Sequence, residues 1–193
     1  MTTQMACMKL AVRNRITNNV VPNLSTSGSS RAASCELSPD GRPFSHSGLV
    51  FFSVHGGERR NVAGTESYFR NEMYFFNVTV SLRSAHVAKI RIGDKVMSGD
   101  DAVEYLTDLA IVALDGYLDL ADDANTLLLA EYPDNDHQPF IDGVRPVYLG
   151  SEEPRIRTPA WWDAKASDTG TQAGISQTSR FQGLQLIREI GQA

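Results

Sequence analysis

Cysteine is scarce: Cys7 and Cys35 are the only two among 193 residues. Two thiols make neither a disulfide framework nor a closed zinc site. Long apolar runs are missing as well. Nothing approaches the roughly 18 consecutive apolar residues of a membrane-spanning helix, so no membrane role is expected. The segment Met1 to Leu10 carries one lysine and no apolar core of leader length, so it does not read as a signal peptide. Positive charge is in deficit: 18 Lys+Arg stand against 23 Asp+Glu, a net charge of −5. General nucleic-acid binders are strongly basic, and charge alone excludes that class.

Catalytic signatures are also absent. The chain has no G-x-x-x-x-G-K-[ST] loop, no G-x-G-x-x-G turn and no H-E-x-x-H helix. His46, His55, His86 and His137 are far apart and lack metal-ligand spacing. His55-Gly56-Gly57 has the form of an esterase oxyanion turn, but no G-x-S-x-G nucleophile elbow accompanies it. Asp134-Asn135-Asp136 opens like a calcium loop, yet Pro139 and Arg145 stand where its glycine and glutamate belong. No catalytic, cofactor-binding or metal-binding residue is expected, and no cofactor. The Asn77-Val78-Thr79 sequon falls in mid-strand and carries no meaning as a glycan site.

What is present suffices for a packed core, with 41% hydrophobic and 21% charged residues. Met5, Met8, Val12, Ile16 and Val20 recur near helical spacing and predict a helix over about 4–20, stopped by Pro22. Residues 25–47 are rich in Ser, Gly and Pro and read as a long mobile loop. Gly48 to His55 reads as a strand that Gly56-Gly57 punctuates. Glu72 to Arg83 is the clearest strand. Tyr74, Phe76, Val78, Val80 and Leu82 share one face, and the other turns from apolar to polar along its length. Residues 87–97 read ambiguously.

Ser98 with Asp101 three places on has the form of a capping box and predicts a helix over about 99–117. A second helix is expected over about 121–132, ended by Pro133. Phe140 to Leu149 reads as a strand that Pro146 confines to an edge or a bulge. A loop over 150–176 holds Trp161-Trp162, and Gln177 to Ile190 reads as a last strand. The expected fold is α+β: one domain over 1–193, with an antiparallel or mixed sheet and helices packed on one face.

Two features stand apart from the core pattern. Glu58, Arg59, Arg60 and Arg70 fall in the polar segment between the two aromatic strands. They read either as a solvated hairpin loop or as a polar contact to another subunit, where arginine is enriched. Trp161 and Trp162 either plug the core edge or anchor a partner.

The order of these elements resembles a known family. A helix precedes a strand ending Ser53-Val54-His55-Gly56-Gly57; an arginine-bearing segment leads to Phe76-Asn77-Val78-Thr79-Val80-Ser81-Leu82; a helix of the Ala102–Tyr117 type follows, and late strands enclose a Trp-containing loop. This looks like the tail-terminator (tail-completion) proteins of long-tailed bacteriophages, over most of the chain and most strongly over 48–117.

The resemblance implies a structural virion protein and no enzyme. Its subunits would form a hexameric ring that caps the tail tube protein and stops its polymerisation. The ring would join the tube to the head-tail connector protein, with DNA passing through the lumen without sequence-specific binding. An acidic lumen would repel DNA phosphates. The implied location is the virion tail or neck, and the host cytoplasm during assembly. Glu58, Arg59, Arg60, Arg70, Trp161 and Trp162 are then the expected subunit or tube contacts. The 25–47 loop is expected to order on assembly. Two alternatives stand beside it: a head-completion or connector-adaptor protein of the phage neck, and a small hydrolase using His55 or His137 with a serine.

Overall fold

Met8, Ala11, Val12 and Ile16 are spaced three and four residues apart, and the first helix, α1 (Gln4–Asn19), buries all four. Pro22 then tightens the chain into a single 3-10 turn, Val21–Asn23. The computed structural model describes residues 4–24, 33–42, 50–61, 69–83, 90–92, 94–131, 140–142, 145–158 and 174–188.

The sheet grows from the two aromatic strands, β2 (Val50–Asn61) and β3 (Phe69–Leu82), which pair antiparallel. Val50, Phe52 and Val54 stand opposite Leu82, Val80 and Val78, so one face is continuously apolar. The last strand, β9 (Gly174–Arg188), pairs with β3 along its whole length, from Leu82 opposite Ile175 to Phe69 opposite Arg188. Phe76 and Phe181 meet across that pair with centroids 5.3 Å apart and rings nearly parallel.

The outer side of β2 carries β1 (Ser34–Leu37) in parallel, which makes the sheet mixed. The outer side of β9 is covered in sequence by three short strands: β6 (Phe140–Asp142), β7 (Val147–Ser151) and β8 (Arg155–Arg157). A separate hairpin, β4 (Ile90–Ile92) with β5 (Lys95–Met97), leads into the second helix.

That helix, α2 (Gly99–Leu114), starts as its sequence dictates. Ser98 Oγ accepts from the Asp101 backbone N–H at 3.2 Å and donates to the Asp101 carboxylate at 2.6 Å. Val103, Leu106, Ala110 and Leu114 face inward. The third helix, α3 (Leu120–Glu131), buries Leu120, Ala121, Ala124 and Leu128. Residues of α1, α2 and α3 join Phe52, Phe76, Val80, Ile175 and Phe181 in one core, so the helices lie on one face of the sheet. The fold is α+β, as expected.

Several boundaries differ from the sequence reading. The 25–47 segment is not wholly loop: β1 lies within it, because Ser34–Leu37 adds backbone hydrogen bonds to an aromatic strand despite its few large apolar side chains. Gly56-Gly57 does not end β2. The strand continues through a bulge to Asn61, so Glu58, Arg59 and Arg60 are strand residues. Arg70 belongs to β3, opposite Ile187, and not to a loop. The expected strand over Phe140 to Leu149 is two strands, because Arg145 and Pro146 fall outside both. The 150–176 segment is not loop throughout, since β8 and the start of β9 lie in it. α2 ends at Leu114, and Tyr117 sits in the turn beyond it.

Candidate functional site

Two glycines shape the sheet's other face. Gly56 (φ +76°) and Gly57 (φ +136°) adopt backbone conformations that a side chain would strain, and they carry the register shift between His55 and Glu58. A second shift occurs in β7 between Tyr148 and Gly150. Asn77 and Arg180 pair between these two bulges, with Gly56 beside Asn77 and Gly150 opposite Arg180. The face away from the helices is thereby hollowed into an open trough of about 790 Å³. Phe75, Asn77, Thr178 and Arg180 line it, with Glu58, Leu149 and Glu152 at its sides.

Glu58 is the hub of a charged cluster at the trough. Arg60 Nε lies 2.6 Å from Glu58 Oε1, and Arg180 Nη2 lies 3.2 Å from Glu58 Oε2. Both guanidiniums also sit over the Phe75 ring, at 5.2 Å for Arg60 and 4.8 Å for Arg180. The hydrogen bond from Arg60 is the main cause that holds the Glu58 carboxyl below its usual range. Exposed pairs of this kind are screened by solvent and contribute little to folding, so the cluster is suited to contact more than to stability.

Beside the trough, His55 Nε2 lies 2.7 Å from Thr79 Oγ1, which in turn lies 2.8 Å from Thr178 Oγ1. This polar row crosses β2, β3 and β9. Burial pushes the His55 pKa below its ordinary value, and the nearby Asp40 and Glu152 carboxylates partly offset that. Gly41 (φ +81°) lies over the imidazole, and a β-carbon there would stand 2.8 Å from His55 Nε2. Thr79 is 2% exposed, so the hydroxyl that meets the histidine is enclosed, while Thr178 at the far end of the row lines the trough.

Of the residues expected from the sequence, the structure brings together Glu58 and Arg60. Arg59 lies between them on the same strand, but opposite Tyr74, which places it toward the helix side. Arg70 is at the start of β3, and the backbone register is all that is described for it. Trp161, Trp162, His46, His86, His137 and the 134–136 turn lie outside the described residues. Arg180, Phe75 and Gly150 were missed. The alternation Thr178, Arg180, Gln182 along the last strand was the available signal for Arg180.

Among the described residues no three His, Cys, Asp or Glu side chains are grouped to hold a metal ion. Cys7 and Cys35 are both free thiols. Burial pushes the Cys35 thiol up to about 12. Among the described residues no helix is long and apolar enough to cross a membrane. No protein-family model and no curated protein matches the sequence.

Proposed function

We propose that this chain is the ring-forming subunit that terminates the tail tube of a long-tailed bacteriophage and joins it to the head connector. The observation that carries this reading is the order of elements within one sheet. An N-terminal helix, the β2–β3 hairpin, a capped helix and a final long strand form a single layered body with all helices on one side. That is the order expected from the resemblance. The other face presents a charged, glycine-shaped trough, an arrangement suited to contacting protein.

A ring closes through a heterologous interface, in which two different patches of each subunit meet. The two sides of this body differ as such an interface requires. The test is to mix purified protein with tail tubes of the same virion and view them by negative-stain electron microscopy, with native mass measured alongside. Ring-shaped caps on one tube end and arrested elongation are the expected result. Binding to filled heads but not to tubes would transfer the chain to the connector-adaptor class. Binding to neither would overturn the assembly role.

A further inference from the structure

No contact among the described residues accounts for Asn77. It stands on β3 between Phe75 and Thr79, on the face away from the helices, and asparagine is depleted in strands. Among the described residues its carboxamide has no hydrogen-bond partner, so an acceptor and a two-hydrogen donor are left free in the trough. Gly56 keeps the space beside it open, since a β-carbon there would stand 3.2 Å from Asn77 Nδ2. Gly150, on the far side of Arg180, has nothing within 4 Å of the place a β-carbon would take. Glycine inside a strand often marks the close approach of a ligand.

The groups around Asn77 set the chemistry of an occupant. Arg180 is its direct cross-strand neighbour, and one N–H group of that guanidinium is spent on Glu58 while others remain. Thr178 lies two residues before Arg180 on the same face. Its hydroxyl bonds Thr79 and retains capacity for a further bond in the trough. The carboxylates are engaged already: Glu58 by Arg60 and Arg180, and Glu152 by Arg155 at 3.1 Å. An ionic ligand would have to displace one of these partners, whereas an uncharged ligand leaves all of them in place.

The open apolar part of the lining is small. The Phe75 ring is flanked by two guanidiniums and is 9% exposed, which leaves Leu149, 47% exposed, as the apolar wall. The trough therefore offers donors and acceptors side by side with one apolar patch. A sugar has the matching surface. Each hydroxyl both donates and accepts, and neighbouring hydroxyls fit the two-pronged edges of a carboxamide and a guanidinium. The C–H face of the ring is apolar. The volume of about 790 Å³ falls within the range of small-ligand sites.

We infer that the trough between the two bulges binds a neutral saccharide, held by Asn77, Thr178 and Arg180 with its C–H face against Leu149. This site goes beyond the ring-subunit reading and does not rest on it.

The test is proton–nitrogen correlation NMR of the full chain, titrated with glucose, galactose, mannose, N-acetylglucosamine and the dimers and trimers of each. At least one sugar is expected to shift the resonances of Asn77, Thr178, Arg180 and Gly150 together and to saturate. The affinity should not change with salt concentration, because the ligand carries no charge. Asn77→Leu removes the carboxamide at nearly constant volume. It is expected to weaken binding at least about tenfold without lowering the melting temperature, since no bond of the fold is lost. Arg180→Lys keeps the charge, loses the planar fork and should weaken binding as well.

A panel in which no sugar gives saturable shifts at these residues would overturn the site. So would binding that Asn77→Leu and Arg180→Lys both leave unchanged. Shifts produced by an uncharged peptide of glycine, serine and asparagine, and by no sugar, would assign the trough to protein contact and overturn it too. Tail-tube capping does not enter this test, so the site and the ring-subunit reading fail separately.

Discussion

His55 shows how one side chain joins local sequence to the sheet. It stands on β2 just before the bulge, bonded to Thr79 and lying beneath the bend at Gly41. Burial favours its neutral form, so the folded chain binds fewer protons than the unfolded chain below the ordinary histidine pKa of 6.5. Stability is therefore expected to fall as pH drops through 6.5, and to level off once the folded-state value is passed. Denaturant melts between pH 8 and pH 5 would measure this, and His55→Gln should flatten the slope. Gly41→Ala should destabilise at every pH by more than about 1 kcal/mol, because it combines a positive φ with a β-carbon set against the imidazole.

The bend at Gly41 is also tied by its own side chains. Asp40 accepts from the Arg42 backbone N–H at 3.1 Å and from Ser38 Oγ at 3.3 Å, a pattern that Ser-Pro-Asp-Gly-Arg encodes locally. Its place over His55 was not legible, because that depends on β1, and β1 has almost no signature of its own. Ser34–Leu37 is a strand because β2 offers it an unpaired edge.

Elements with strong periodicity were read to within three residues at each end. The alternation of β3 and the inward spacing of α1 and α2 each demand one geometry, since any other would expose several large apolar side chains. Ser98 marks the start of α2 for a local reason, its side-chain bonds to Asp101. Ser98→Ala should cost about 1 kcal/mol, visible as a lowered midpoint in urea unfolding with an unchanged slope.

Glycine misled the reading at Gly56-Gly57. Two adjacent glycines commonly end a strand, but here they allow it to bend and continue, and only pairing with β3 decides between the two. The candidate site followed the same rule. Glu58 and Arg60 stood out as charge in an aromatic neighbourhood, whereas Arg180 joined them from 122 residues further along, a proximity that only the β3–β9 register creates.

At the scale of the whole molecule, stability centres on β9. Phe181 stacks on Phe76, packs against Tyr148 at 5.9 Å and is wholly buried, so it links β3, β9 and β7. Phe181→Ala is expected to cost about 3–5 kcal/mol, measured by equilibrium denaturation, since the surrounding strands cannot close over so large a void. The turn after α2 adds a polar tie to the same region. Asp115 Oδ1 accepts from the Tyr148 backbone N–H at 3.0 Å, and the Gly116 backbone N–H donates to Pro146 O at 2.8 Å. These bonds tie the C-terminal end of α2 to the sheet edge at β7.

The outer border of that sheet is tiled. A continuous partner for the 15-residue β9 would itself present a long open border, ready to accept a strand from any neighbouring chain. Instead the border consists of segments of 3, 5 and 3 residues, and the middle one is kinked at Gly150. Each tile offers only a short run of free backbone groups, and the kink throws successive tiles out of line. Edge-to-edge zipping of copies into fibrils is thereby disfavoured along this border.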